Sequence, residues 1–287
     1  RADMLKSDFS QSPNCMDIKW YFDGSIGKRF GSSTANTTAM TSGGGAAGFI
    51  VQNSLTNNLL AYWKMDEASG VREDVFSDLD LNQAGGPGST TGIRNNAVNL
   101  VRADSQALYM NTASFGASAS DLTIAMWVYF TTTAGVSDTI LARYKYNATD
   151  YQWTLHVRAD NQLSFNVKSD GAVDPVTVAA TSIGLLQAAT WYNIVAWVSN
   201  GTHIGVSVNL SVNTTNWVGT ATSGTPRTFT IGGDSSGASI LSALNARIDE
   251  VGICNRSMSL TERQQIWAGG SGNTYTGSSV ITPWAMF

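Results

Sequence analysis

The sequence predicts an all-β protein: an antiparallel jelly-roll β-sandwich with one short C-terminal helix and an extended N-terminal arm. Three observations predict it. Short apolar runs recur between clusters of Gly, Asn, Asp and Ser, the spacing of strands and turns in a sandwich. One run alternates cleanly, with Tyr151, Trp153, Leu155 and Val157 facing in, while Gln152, Thr154 and His156 face out or line a concave sheet. Helical spacing surfaces once, after Ser259.

Residues 1–58 read as an arm or anchor. Asp17–Asp23 (DIKWYFD) suits a strand, and Phe30 leads into the small-residue stretch GSSTANTTAMTSGGGAAG. So short and glycine-rich a segment cannot bury a core alone. Its Trp20, Tyr21, Phe22 and Phe49 therefore need a partner: the chain's own domain, another copy of the chain, or another protein of an assembly, with the latter two favoured because the sandwich already has enough strands. A disordered tail is the alternative reading.

Residues 59–275 carry the sandwich, and 276–287 form a tail. The expected strands are Leu59–Lys64, Ala97–Leu100, Ala107–Met110, Leu122–Phe130, Ile140–Tyr144, Tyr151–Val157, Leu163–Val167, Val176–Ala179, Trp191–Val198, His203–Val208, Thr228–Ile231 and Ala246–Ile253. Leu122–Phe130 is apolar on both alternating sets, as a strand covered on both sides must be. Trp63, Trp127, Trp153, Trp191 and Trp197 are assigned to the core.

The last expected strand feeds the helix. Ser259 and Glu262 have the spacing of a capping box, Leu260, Arg263, Gln264 and Trp267 fall near one face, and Gly269 and Gly270 stop the run.

Charged residues make up only 13% of the 287, against the usual quarter or so. The polar surface must then come from Ser, Thr, Asn, Gln and Gly. A net charge of -4 gives no basic field for a phosphate backbone, which argues against nucleic acid. No apolar run reaches the roughly 18 residues of a membrane span. The chain opens on Arg1 without a charged-then-apolar leader, as a sequence starting after processing or after a portion left out of it would. Cys15 and Cys254 suit buried free thiols better than a disulfide framework.

Catalytic patterns are missing. Glycoside cleavage needs two acids on one face, which on a strand means i, i+2 spacing. Asp249 and Glu250 are adjacent, so a regular strand would point them to opposite faces. His156 and His203 stand alone, no Ser or Cys lies in a nucleophile elbow, and Gly43-Gly44-Gly45 lacks a flanking strand and helix. The expectation is a non-enzyme.

Sugar binding needs flat aromatic faces beside Asn, Asp or Gln donors and acceptors. The stretch ARYKYNATDY groups Tyr144, Tyr146, Asn147 and Asp150, and Trp217 lies among Asn213, Thr214, Thr215 and Asn216. These are the candidate ligand-binding residues. The alternative is that Tyr144 and Trp217 only close the ends of the sandwich.

Two stretches also carry a resemblance. ARIDEVGICNRSMSLTERQQIWAGG (Ala246–Gly270) resembles the closing segment of laminin G-like domains of the concanavalin A-like lectin/glucanase superfamily. Met258 stands where Leu is usual, and Cys254 where an aromatic residue is common. LLAYWKMDEASGVREDVFSDLDL (Leu59–Leu81) resembles the opening of the same domain, with TIAMWVYF and WYNIVAWV similar to its central strands. The E-x-D-x-x-E signature of the superfamily's glucanases is missing. The resemblance implies a structural Ca²⁺ near the first and last strands, at positions matching Asp66, Asp74 and Asp249, with oxygens at about 2.3–2.6 Å. Against it stands a plainer reading, in which Asp249 caps loop amides and Asp66 serves a turn.

Together these readings imply a non-catalytic adhesion or carbohydrate-binding protein, extracellular or on a virion surface, within a fibre or surface assembly. Its partners would be a glycan or cell-surface polysaccharide, and copies of itself or another assembly protein through the arm. The rival is a purely structural capsid-decorating or filament-forming subunit. A glycoside hydrolase comes third.

Overall fold

The computed structural model describes residues 54–113, 121–133, 137–144, 151–168, 175–218, 227–235 and 240–275, with the backbone of two short N-terminal strands. Those two, β1 (Ile18–Trp20) and β2 (Ile26–Lys28), pair antiparallel and belong to a unit of their own. The rest of the arm and the tail after Tyr275 lie outside the described residues.

The second unit begins at Ser54. Its strands follow in order: β3 (Leu59–Trp63), β4 (Asn82–Ala84), β5 (Gly88–Thr91), β6 (Asn96–Leu100), β7 (Ala107–Ala113), β8 (Leu122–Phe130) and β9 (Asp138–Tyr144). Next come β10 (Tyr151–Val157), β11 (Leu163–Val167), β12 (Val176–Ala179), β13 (Thr190–Ser199), β14 (His203–Val208) and β15 (Ser211–Asn216). The last are β16 (Arg227–Ile231), β17 (Asp234–Ser235), β18 (Ile240–Leu241) and β19 (Ala246–Cys254), followed by the helix α1 (Leu260–Trp267).

They build an antiparallel sandwich. A seven-stranded sheet runs β12-β11-β10-β9-β16-β7-β4, and the facing sheet runs β15-β14-β13-β8-β19-β6-β5 with β3 also paired to β19. Between them lies one apolar core. In β8 it takes Leu122, Ile124, Met126, Val128 and Phe130, the alternate set that the period of two demands. In β10 it takes Trp153, Leu155 and Val157. Each such side chain, fully buried, contributes about 1.5–3 kcal/mol.

The other face of the second sheet is covered along part of its length. Leu59, Tyr62, Ala125, Val195, Trp197 and Cys254 pack there under Leu55, Met258, Ile266 and Tyr275. The helix is thus a roof, held at its start by a complete capping box between Ser259 and Glu262. Arg256 pairs with Glu262 at 2.7 Å. Gly252 lies under the Tyr275 ring so closely that a Cβ would collide with it. Cys254 is a free buried thiol, and burial pushes its pKa up to about 12.

Several expectations need correction. The buried helix positions are Glu262 and Ile266, whereas Leu260 is exposed, because the cap turns Glu262 inward to Arg256. The left-handed turn that ends the helix begins at Ala268 (φ 46°), one residue before the glycines. Trp191 is half-buried on the outer face and does not join the core. β4, β5 and β15 escape sequence reading because they are polar and small-residue strands at or near sheet edges.

Candidate functional site

Two features stand on the outer face of the eight-stranded sheet. The first is a bulge in β19. Its pairing with β8 shifts between Asp249 and Gly252, and Glu250 takes φ 51°. Ile248 and Val251 both enter the core, so Asp249 and Glu250 both face out. That overturns the expectation of opposite faces, which assumed a regular strand.

Neither carboxylate is accessible, at 0% and 1% exposure. Asp249 Oδ2 accepts the backbone N–H groups of Ile93 (2.8 Å) and Arg94 (3.0 Å). The Tyr62 hydroxyl donates to Glu250 Oε2. Burial is the main cause that pushes Asp249 up to about 8, with Glu250 and Asp66 adding repulsion. Burial likewise pushes Glu250 up to about 7. Burial and the neighbouring Glu250 raise the Tyr62 phenol as well.

The second feature is a row of side chains at one register level. Trp191 on β13 stands opposite Tyr129 on β8, which stands opposite Arg247 on β19, which stands opposite Asn99 on β6. Their neighbours along each strand, Tyr192, Phe130, Val128, Ala246, Ile248, Val98 and Leu100, point into the core, so these four point out. All four are half-buried. The Tyr129 and Trp191 rings lie 5.5 Å apart at 58°, and the Arg247 guanidinium sits 4.6 Å over the Tyr129 ring. An amphipathic aromatic pair flanked by a cation and an amide can stack on an apolar ring face and hydrogen-bond its polar rim.

The residues singled out from sequence fall elsewhere. Tyr144 is the last residue of β9, opposite Tyr151 and Thr228. Tyr146, Asn147 and Asp150 lie outside the described residues. Trp217 is 2% exposed inside the main core, so it offers no face to a ligand. His203 accepts from Trp197 Nε1 at 3.1 Å. Burial, with the Arg158 charge adding to it, lowers the His156 pKa.

Asp66 and Asp74, matched by resemblance to calcium ligands, accept hydrogen bonds from nearby backbone and side-chain donors. Asp66 accepts from Asn96 N (3.0 Å) and Asn95 Nδ2 (3.2 Å). Asp74 accepts from Tyr62 N (2.9 Å), Phe76 N (3.0 Å) and the Ser77 hydroxyl. Among the described residues no group of three or more His, Cys, Asp or Glu is placed to hold a metal ion. The third matched residue, Asp249, keeps its buried Oδ1 without a hydrogen-bond partner.

Nothing in the sequence marks the outward row. Its members lie in four strands far apart in the chain, and only the pairing brings them level.

The described residues thus build a two-sheet antiparallel sandwich. The model of the Laminin_G_3 family, concanavalin A-like lectin/glucanases superfamily, matches residues 102–262, and the chain belongs to that family. Solved structures share the fold at low identity. The binding domain of Paraclostridial Mosquitocidal Protein 1 aligns with a TM-score of 0.58 at 14% identity, over 75% of this chain and 53% of that one. The receptor binding domain of botulinum neurotoxin mosaic serotype C/D gives 0.59 at 11% identity, over 75% and 52%. This chain thus spans about half the length of those toxin domains. Domain 4 of AbnA, a GH43 extracellular arabinanase from Geobacillus stearothermophilus solved with arabinotriose, gives 0.53 at 12% identity, over 72% and 96%. No curated protein matches the sequence.

Proposed function

We propose that the sandwich is a non-catalytic glycan-binding module whose binding surface is the Trp191–Tyr129–Arg247–Asn99 row. One observation carries this: two aromatic rings, a guanidinium and an amide stand side by side, half-buried, on an outward sheet face. Support comes from fold neighbours whose descriptions name a sugar, arabinotriose for the arabinanase domain and two ganglioside molecules for botulinum neurotoxin type C.

Access supports the non-catalytic reading. Glycoside cleavage requires acids flanking the scissile bond. The outward pair Asp249 and Glu250 is sealed, with protein groups on both side chains. The setting we infer is a surface assembly outside the cytoplasm, such as a fibre or virion. Its supports are the low charge and the abundance of polar uncharged residues.

The test is binding of immobilised oligosaccharides by the intact chain and by Trp191→Ala and Tyr129→Ala. Loss of an aromatic partner worth about 0.5–1.5 kcal/mol weakens binding by up to roughly tenfold per ring. Unchanged binding in both variants, with unchanged melting, would remove this face from the reading.

A further inference from the structure

We propose that the sugar recognised on this face is acidic and that its carboxylate docks on the guanidinium of Arg247. The inference rests on the reading of the row as a glycan surface and adds the chemical class of the ligand.

The ground is the state of Arg247. Most other described arginines are employed by charges or carbonyls, while Arg263 sits over the Trp197 ring where the C-terminal segment covers that face. Arg256 is paired with Glu262, Arg102 with Asp138 and Arg158 with Asp160, and Arg72 donates to the carbonyls of Gly70 and Pro87. Arg247 has no ion pair and no side-chain hydrogen bond among the described residues; its one contact of note is the Tyr129 ring. It is half-buried, so part of its hydration is already lost. A guanidinium in that condition has donors to give and little solvent to displace.

The acid next to it along the outward side of β19 does not compensate it. Asp249 is fully buried and its Oδ2 is spent on Ile93 and Arg94. Burial also keeps that carboxyl largely protonated near neutral pH, at about 8. The row therefore presents a positive centre with no negative one beside it.

The Tyr129 ring lies under the Arg247 Cζ, and the guanidinium N–H groups form the docking element. A planar fork of donors matches a carboxylate bidentately. Trp191, Tyr129, Arg247 and Asn99 occupy four adjacent strands, a span of about 14 Å at the usual strand spacing. That is room for an acidic ring over Tyr129 and Arg247 with a neighbouring ring over Trp191. The Asn99 amide lies at the far end for a hydroxyl. Uronic and sialic acids both supply the required carboxylate.

The experiment measures binding of the intact chain to matched pairs: oligogalacturonate against its methyl ester, and sialyllactose against lactose, with sulfated lactose as a further probe. We expect at least one carboxylated probe to bind tenfold or more tighter than its neutral partner. Arg247→Ala should abolish that preference, and Arg247→Lys, which keeps the charge but not the fork, should fail to restore it. Equal binding of acidic and neutral partners overturns the inference, as does binding confined to the sulfated probe or no binding of any carboxylated probe. If neutral sugars bind equally well and Trp191→Ala abolishes that binding, the acidic class falls while the glycan surface stands. If Trp191→Ala and Tyr129→Ala bind as the parent does, the surface itself falls. Unchanged thermal melting of each variant separates lost binding from lost folding.

Discussion

Glu250 alone decides where two carboxylates go. By taking a left-handed backbone conformation it adds an extra residue to β19 and turns itself and Asp249 to the same side. The sequence does not announce this, because a bulge with Glu at the positive-φ position has no turn signature of the Asn or Gly kind. The consequence is thermodynamic. In the unfolded chain these groups titrate near 3.9 and 4.3. In the folded protein burial raises Asp249 to about 8 and Glu250 to about 7. The folded state thus holds more protons between those limits, and stability must fall as pH rises through that window. The contribution is fully present below about pH 4 and lost above about pH 8. Lys64, Arg94, Asp66, Tyr62 and Tyr275 share this neighbourhood and modulate the size of the effect. Urea midpoints at pH 5, 7 and 9 should decline in that order, and Asp249→Asn should flatten the decline. A midpoint that rises from pH 5 to 9 contradicts the assignment.

Among the elements, those whose pattern is set by the core were legible. β8, β10, β11 and β14 run between the limits that period-two alternation indicates, because inward positions admit only apolar side chains. The polar edge strands were not, since β15 (SVNTTN) faces solvent and owes its existence to pairing with β14, whereas the apolar edge strand β12 (Val176–Ala179) was legible. The helix was legible at its capped end and not on its buried face, because Glu262 is drawn inward by Arg256 against its own polarity. Ser259→Ala should cost about 1 kcal/mol by removing the cap. Gly252→Ala forces a methyl into the Tyr275 ring and should cost about 1–3 kcal/mol as overpacking. Both are read as shifts of the urea midpoint at constant slope. A neutral Gly252→Ala would show that Tyr275 does not seal that face.

At the level of the molecule, the family and the sandwich could be read from the chain, but the surface we assign to binding could not. Tyr129 and Trp191 sit on strands apolar on both alternating sets, so sequence reads them like Ala125 and Val195, which the C-terminal segment covers. Whether an outward aromatic is roofed or open depends on how far that segment reaches, which is a tertiary fact. The arm remains a sequence-based expectation. Its Trp20, Tyr21, Phe22 and Phe49 argue for association with another chain, so deleting residues 1–53 should reduce the particle size seen by light scattering. An unchanged size would make the arm dispensable for assembly.

The position of β19 also bears on how the protein comes to exist. It lies between β8 and β6, yet among the described strands it comes last in chain order. Until residues near Cys254 emerge, β8 has an open edge and the two halves of its sheet have nothing to join them. Productive folding of the sandwich then waits until β19 has emerged, and the pairings that complete it join strands far apart in sequence, which slows them. Nascent chains halted before Ala246 should therefore be protease-sensitive and prone to self-association, the condition in which a cell commits chaperones to a client.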